Sequence, residues 1–480
     1  MAVRPPPAPT PLRSDVAAFV GPTHRGPVGE AVRVEGWRAY QAVFGGLDGA
    51  SHTPYAVRGY FENGGTTAFV VRVAGGAPAT ATAGWTPAPP MWAWPVAGVV
   101  VAATSPGAWA RGLEVEVGWR REGAAFAPEV DVVVRPRGAP AEALLGLPVE
   151  RLPEAVAARS ELVRLAWAGD DVAPDTDAYL GAADRLVDEP DVALIALPDL
   201  HAEPGLDVAR IVTTLLGQAE ALHDRLVLID APRDRGGRPW HADQLIADWL
   251  EAGLGRTADA LDDVPWRAGA HYHPWLRVDD PLGGVHRPLR TIPPCGHVAG
   301  MISALDRRRG AHHTPANEPL LGVVDLEAEA SPAEYAVLNE AGVDLVRCVP
   351  GLGYAAMGGR TLDPRPDRRW VAHRRLLHRL VRALRKVAEP LVFEGNGPAL
   401  WFQFVRAVTS VLLEAWRSGA LAGAAADEAF TVQCDLETNP PDEVERGRCV
   451  CLIGVAPAVP MEMIELRVAL SRDGALEVLP

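Results

Sequence analysis

The glycines at 351–356 and Asp230 are the parts of the sequence that most resemble a small-molecule site. Gly351-Leu-Gly353-Tyr-Ala-Ala356 satisfies the G-x-G-x-x-A pattern, which in dinucleotide-binding proteins opens a helix that holds a pyrophosphate. Pro350, two further glycines and Pro364 argue against a helix there. Asp230 ends a predicted strand, where α/β enzymes often place chemistry but where aspartate also caps loops. An α/β enzyme with a nucleotide or sugar-phosphate site near Asp230 or Gly351 is therefore kept as an alternative.

The histidines and cysteines do not complete a recognisable metal site. His271-Tyr-His273 and His312-His313 have no acidic or histidine partner at ligand spacing, which favours packing or surface histidines. Cys449 and Cys451 form a single C-x-C that lacks a second pair, so buried thiols on one strand face are expected. The sequence contains no Walker A, G-x-S-x-G or H-E-x-x-H pattern. We predict no enzyme activity, no catalytic residue, no cofactor and no metal.

A basic segment stands out in an acidic chain. Between Arg365 and Lys386 there are nine Arg or Lys residues and one acid, Asp367, whereas the 480-residue chain has a formal charge of −15. A solvated helix face normally mixes signs, so a face of one sign indicates an acidic partner. The acidic total argues against a nucleic-acid coat, and no apolar stretch is long enough to cross a membrane. The candidate partner-contact residues are Arg368, Arg375, Arg379, Arg382 and Lys386.

Strands alternate with helices through most of the chain, which predicts an α/β fold with a mostly parallel sheet. Continuous apolar runs such as 192–197 and 226–229 are typical of strands covered on both faces. Period-two segments between about 80 and 165 predict a small β-rich insertion. The last third begins with two long amphipathic helices and ends in strands, which predicts an α+β C-terminal domain.

Several stretches, taken together and in order, resemble the contractile tail sheath family of bacteriophages and extracellular contractile injection systems. In the first half they are 16–21 with 25–27, 56–65 with 70–73, and 105–113; in the middle, 274–275, 293–300 and 315–317. The C-terminal third carries the most specific ones: 350–353, 359–361, 374–375, 393–396, 419–423, 428–430 and 456–457.

The resemblance implies a structural subunit that assembles as stacked hexameric rings around an inner tube and contracts to drive the tube through a target envelope. Its partners would be copies of itself, the tube protein, and baseplate and cap proteins, with no nucleic acid and no membrane insertion. The particle would be a phage tail-like assembly built in the cytoplasm, with release from the cell left open. A non-contracting sheath-like ring of the baseplate or cap is a second alternative, and main and minor sheath paralogues are not distinguished.

The resemblance also implies a division of the chain. An N-terminal arm (1–15) precedes an outer α/β domain (16–349) with the β insertion, an inner C-terminal domain (350–458) next to the tube, and a C-terminal arm strand (459–480). The basic segment would contact the tube. The arm strand would pair in a neighbouring subunit, through Met461, Met463, Ile464, Leu466, Val468 and Leu470. The proline-rich start lacks the first strand typical of the family, so whether it pairs with a neighbour is left open.

Overall fold

A computed structural model describes most of the chain. The described residues are 13–47, 49, 51–75, 80–81, 101–103, 113–122, 125–136, 140–148, 156, 159–160, 162–165, 174–202, 205–233, 239–284, 288–391, 394–458, 464–470 and 476–479. Residues 1–12 of the predicted N-terminal arm lie outside this set.

The strands alternate with helices, as the sequence predicts. From the N-terminus the strands are β1 (Ala17–Gly21), β2 (Val32–Val34), β3 (Ala68–Arg72), β4 (Thr80–Ala81), β5 (Val101–Ala103), β6 (Glu114–Glu122), β7 (Ala125–Arg135), β8 (Glu142–Pro148), β9 (Val163–Leu165), β10 (Leu194–Ala196) and β11 (Leu226–Asp230). They continue with β12 (Gly269–His273), β13 (Leu276–Asp279), β14 (Leu289–Ile292), β15 (Glu318–Pro319), β16 (Val323–Leu326), β17 (Val343–Val349), β18 (Gly353–Met357), β19 (Phe430–Gln433), β20 (Cys449–Val455), β21 (Ile464–Leu470) and β22 (Leu476–Leu479).

The helices are mostly of ordinary α type. They are α1 (Trp37–Phe44), α2 (Thr53–Glu62), α3 (Thr176–Arg185), α4 (Val208–Leu222), α5 (Cys295–Arg309), α6 (Pro332–Glu340), α7 (Val371–Ala388), α8 (Pro398–Arg417), α9 (Ala426–Ala429) and α10 (Pro441–Glu445). Gln244–Gly253 is π-helical, and 3₁₀ turns cover Ala258–Ala260, Trp266–Ala268 and Glu389–Leu391.

A nine-stranded sheet forms the centre of the α/β region, in the order β15-β18-β17-β12-β11-β10-β1-β3-β2. The run from β17 to β3 is parallel, and antiparallel strands close both edges. Alternate side chains of the buried strands enter two cores, so Val20 packs on one face and Phe19 on the other. Burial on both faces explains why these strands are continuous apolar runs, and the predicted fold class is confirmed.

Smaller antiparallel sheets flank the large one. Within residues 80–165 the described strands form two three-stranded sheets, β4-β5-β9 and β6-β7-β8, which gives the predicted insertion its β character. A third, β14-β13-β16, arises because the chain that forms β12 is interrupted at Pro274, which has no amide hydrogen to continue a ladder, and resumes as β13.

The C-terminal region has its own sheet and core. The sheet order is β19-β20-β21-β22, all antiparallel. Its core joins one face of α7 (Leu380) to α8 (Phe404) and the sheet (Ile453, Val468). The expected domain boundary at 349/350 would assign β18 to the C-terminal domain. Strand β18 pairs with β17 in the large sheet, because the glycine turn between them reverses the chain at once.

Candidate functional site

The segments that could have formed a small-molecule site have structural roles. Gly353–Met357 is a strand, so the G-x-G-x-x-A pattern does not open a helix. The Asp230 carboxylate is buried and accepts a hydrogen bond from the Cys295 amide at 2.9 Å, the first residue of α5. Burial raises the pKa of Asp230 to about 7. Asp230 therefore caps the α5 N-terminus, which is the ordinary reading of a strand-end aspartate.

The histidine pair in β12 is packed in the protein interior. His271 is fully buried and its Nε2 accepts a hydrogen bond from Trp249 Nε1 at 3.1 Å. His273 is 5% exposed, and burial lowers its pKa to about 4. Among the described residues, no group of three or more His, Cys, Asp or Glu side chains is placed to hold a metal ion. Packing, which the sequence favoured for these histidines, is confirmed.

The basic segment forms helix α7, whose two faces meet different regions of the protein. Leu376, Leu380 and Leu384 belong to the C-terminal core. On the other side, Arg374, Arg375 and Arg382 are buried against the α/β region, with only 4–7% of each residue exposed. Since α7 carries positive charge on the buried side, the structure must supply anions or carbonyl oxygens there.

Arg375 makes the best-defined ion pair of this interface. Its guanidinium forms two hydrogen bonds of 2.6 Å to the carboxylate oxygens of Asp306 in α5. A third, of 2.7 Å, is donated to the carbonyl oxygen of Ser14. Burial raises the pKa of Asp306, an effect that the charge of Arg375 opposes. The bidentate geometry is the strong form of the arginine–carboxylate pair, and it fixes α7 to α5 and to the chain entering β1.

Arg382 is bound mainly by backbone carbonyl oxygens. It donates hydrogen bonds to Arg13 at 2.6 Å, Asp191 at 3.2 Å, Asp224 at 3.1 Å, and also to Val192. Burial lowers its pKa to about 10, so the side chain stays charged at neutral pH. These carbonyls lie just before β1, β10 and β11. The Arg382 side chain therefore connects α7 to the chain segments that lead into three neighbouring strands of the large sheet.

Two further arginines complete the interface. Arg374 donates a 2.6 Å hydrogen bond to Glu220 in α4, which Arg267 also contacts. Arg385 bonds the Asp224 carboxylate at 3.0 Å. His378 is buried among these cations, and burial followed by the charges of Arg374 and Arg382 holds its pKa well below the ordinary value.

The structure corrects part of the predicted partner surface. Arg375 and Arg382 do not face outward, because their charges are satisfied inside the chain and the helix is covered on both faces. Of the other three candidates, Lys386 is exposed and Arg368 and Arg379 are half-buried. These three therefore stay a predicted contact.

The predicted C-terminal arm strand is paired within its own chain. Ile464, Leu466, Val468 and Leu470 lie in β21, which pairs with β20 from Cys449–Leu470 to Val455–Ile464, and β22 follows in a hairpin. Met461 and Met463 lie outside the described residues. In the single chain β21 therefore pairs in cis, and pairing in trans, which would offer β20 the same hydrogen bonds, stays a prediction.

Sequence reasoning missed the partners of the buried arginines and a third thiol beside Cys449, Cys434. One signal was present. Arg375, His378 and Arg382 follow Val371 at steps of four, three and four, the spacing of a buried stripe. A helix with an apolar stripe and such a second stripe is packed on both sides.

Comparison with known proteins identifies the fold. A scan against protein-family models and a search of curated proteins gave no match. Among solved structures, the sheath tail protein of Desulfitobacterium hafniense matches with a TM-score of 0.64 at 11% identity, over 98% of this chain and 100% of that chain. A PVC sheath of an extracellular contractile injection system in the contracted state matches with a TM-score of 0.57 at 18% identity, over 95% and 91%. The helical sheath of the anti-feeding prophage, also contracted, gives 0.55 at 20% identity, over 97% and 96%.

The chain has the fold of contractile tail sheath proteins. The resemblance predicted from scattered sequence stretches is thereby confirmed in the fold, over nearly the whole length of this chain and of its structural neighbours. Among the residues that the structure describes, no helix is long and apolar enough to cross a membrane.

Proposed function

We propose that this protein is a structural subunit of a contractile sheath. It would stack in hexameric rings around an inner tube and contract to drive that tube through a target envelope, without enzymatic activity. The observation that carries the proposal is the end-to-end match of the sheath fold, which extends to sheaths solved in the contracted state.

The contacts of α7 support a role in which the α/β region and the C-terminal region of one subunit stay joined while the subunit moves. Its arginines attach it to the α/β region by directional ion pairs and hydrogen bonds, and its leucines attach it to the C-terminal core. A subunit that is rearranged in a helical assembly has to keep its own regions joined while contacts between subunits change. Buried pairs of this geometry resist separation.

Electron microscopy of the particle tests the proposal. The gene would be expressed together with its neighbouring tail genes, and the particles imaged before and after a contraction trigger such as acid or mild denaturant. Helical sheaths that shorten and widen support the proposal. A discrete monomer that is stabilised against heat by nucleotides or sugar phosphates would favour the enzyme alternative instead.

A sheath-like ring of the baseplate or cap is the second candidate, since two structural neighbours come from baseplates of the anti-feeding prophage. A label on this subunit distinguishes the two. Label along the whole sheath indicates the contracting component, whereas label at one end, with a constant copy number per particle, indicates a terminal ring.

Arg368, Arg379 and Lys386 remain our proposal for contact with an acidic tube surface. Contacts between charges at a solvated surface are weakened by salt. Such contacts would keep the sheath aligned with the tube and still release it during contraction. Replacing all three by Glu should leave the monomer folded and reduce the yield of extended particles. Extended particles at the normal yield would contradict the proposal, and Arg33→Glu in the α/β region, whose side chain is 48% exposed, serves as the matched control.

We also propose that the β21–β22 hairpin exchanges between neighbouring subunits in the assembled sheath. The hairpin is joined to the rest of its chain by the β20 ladder and by the packing of Val468 in the C-terminal core, and the same hairpin of a neighbouring subunit could make both contacts. Val468 lies opposite Cys451, so Val468→Cys places two thiols across that ladder. After oxidation, exchange gives covalent ladders of subunits on a non-reducing gel, and pairing in cis gives monomers. Ala469→Cys, which pairs with Val450 instead, is the control.

A further inference from the structure

Three cysteines lie together at one end of the C-terminal sheet. Cys449 and Cys451 are alternate residues of β20 and share a face, buried to 2% and 0% exposure in the C-terminal core. Cys434 follows β19, and its Sγ lies 3.7 Å from Cys449 Sγ. The last β19–β20 pair is Gln433–Leu452, so one further step places Cys434 opposite Cys451. The pairing of β19 with β20 thus places Cys434 next to both β20 thiols.

The surroundings distinguish Cys434 from its two neighbours. It is half-buried, whereas they are fully enclosed, so a small reagent reaches Cys434 first. The Asn439 side-chain nitrogen lies 3.6 Å from the Cys434 sulfur. Hydrogen bonds from the Cys449 and Cys451 thiols hold the pKa of the Cys434 thiol well below its ordinary value. The pKa of each neighbour is raised, first by its bond with Cys434 and then by burial.

We propose that Cys434, Cys449 and Cys451 form a redox-sensitive thiol site, in which a low-molecular-weight disulfide converts Cys434 and a β20 cysteine, with the Cys449 sulfur 3.7 Å away, into an intrachain disulfide. The arrangement is that of a redox sensor: an accessible thiolate beside a resolving thiol. Nothing in the contractile role of the subunit requires this site, so it stands independently of the proposed function.

The reaction balances with a small disulfide such as oxidised glutathione as the oxidant. The Cys434 thiolate attacks one glutathione sulfur, a mixed disulfide forms, and one glutathione leaves as thiolate. Cys449 then gives up its proton and attacks the Cys434 sulfur, and the second glutathione leaves. One protein thiolate and one protein thiol are oxidised to a disulfide, one glutathione disulfide is reduced to a thiolate and a thiol, and the Cys449 proton passes to one of the two departing glutathione thiolates.

The new bond would close the segment from 434 to 449, which contains α10, onto the start of β20. Because Cys434 and Cys449 are 15 positions apart, the cross-link restricts the unfolded chain and should stabilise the C-terminal sheet. Oxidation would therefore raise the midpoint of thermal unfolding, and a reductant would return it to its starting value.

Peptide mapping of the full-length protein tests the site. Reduced protein is incubated with oxidised glutathione, alkylated, digested without reductant and analysed by mass spectrometry. We expect a peptide in which Cys434 is bonded to Cys449 or to Cys451, absent in Cys434→Ser and unchanged in Cys348→Ser, whose exposed thiol is the matched control. The Cys449→Ser/Cys451→Ser double variant should trap the glutathione adduct on Cys434. If no such peptide forms, or if adducts form equally on Cys348 and Cys434, the proposal is overturned.

A second measurement does not depend on the variants folding. At mildly acidic pH, iodoacetamide should label Cys434 of the native protein well before Cys348, because only the thiolate reacts. Equal labelling of the two would overturn the proposal. The proposal would also be overturned if the thiols resisted iodoacetamide until a chelator was added, because a bound metal ion would then be protecting them.

Discussion

Helix α7 joins the two main regions of the molecule by opposite kinds of contact. Toward the α/β region it presents Arg375 and Arg382, whose partners are a carboxylate and backbone carbonyl oxygens. Toward the C-terminal region it presents leucines that pack against α8 and the small sheet. The strength of the first interface depends on the direction and length of its hydrogen bonds, and that of the second on the apolar area it buries. The α/β region therefore fixes the position of α7 along its axis, and the C-terminal region buries its apolar face.

The two regions also differ in what they bury. The α/β region contains buried histidines, aspartates and arginines, such as His297, Asp344 and Arg72. Beyond α7, the buried polar side chains that the structure describes in the C-terminal region are Thr438 and Asn439, next to three thiols. The large region therefore buries ionisable histidine, aspartate and arginine side chains, whereas the small one buries amide, hydroxyl and thiol groups.

The largest expected effect comes from the ion pair between α7 and α5. Arg375→Met leaves Asp306 buried without its cation and should lower the free energy of unfolding by about 3–5 kcal/mol, measured by urea denaturation. The double variant Arg375→Met/Asp306→Leu should recover most of that loss, because two apolar side chains need no partner. Equal losses in the single and double variants would mean that the pair does not hold the regions together.

In the C-terminal region the corresponding test is Asn439→Ala. The Asn439 side chain accepts a hydrogen bond from the Val450 amide at 2.6 Å and donates one to the Val450 carbonyl at 2.9 Å, in place of the missing β19 partner. Losing both should cost about 1–3 kcal/mol. Hydrogen exchange at the Val450 amide should speed up, while Gln433→Ala, with its half-buried side chain, should have little effect.

Acid should affect the α/β region through its buried histidines. Burial, assisted by the charge of Arg58, lowers the pKa of His297 from 6.5 to about 4. The unfolded chain therefore binds more protons between these values, and stability falls as the pH decreases through that window. For one such histidine the loss at pH 5 is about 2 kcal/mol.

Urea denaturation at pH 7 and pH 5 measures this loss. His297→Gln should reduce the difference between the two pH values by that amount, whatever its own effect on stability. His241→Gln, at a residue whose side chain is 82% exposed, should leave the difference unchanged. A pH dependence that is the same in wild type and His297→Gln would show that His297 does not contribute.

The smallest effect is expected at the exposed end of α7. Lys386→Glu should change the free energy of unfolding by no more than about 0.5 kcal/mol, because the side chain is exposed. The comparison with Arg375, eleven positions earlier on the same helix, separates positions that hold the subunit together from those free to meet a partner. A large destabilisation by Lys386→Glu would contradict that separation.

The strands of the large sheet and most helices could be predicted from the sequence, because burial on both faces or on one face leaves a local apolar pattern. The apolar run 226–229, for example, lies in the strand Leu226–Asp230. The strands β14 and β16 that pair with β13 were not, since their mostly exposed and half-buried residues carry no alternating apolar pattern.

The candidate site divides in the same way. The amino-acid sequence by itself determined that α7 is basic and amphipathic and that β20 carries two thiols on one face, because these follow from local spacing. Only the tertiary structure decided that Arg375 is paired with Asp306, 69 positions away, that Arg382 is bonded to the carbonyl of Val192, 190 positions away, and that Cys434 completes the thiol cluster. A charge is stable inside a protein only beside a partner of the right geometry, and such a partner comes from whichever distant segment the fold places there.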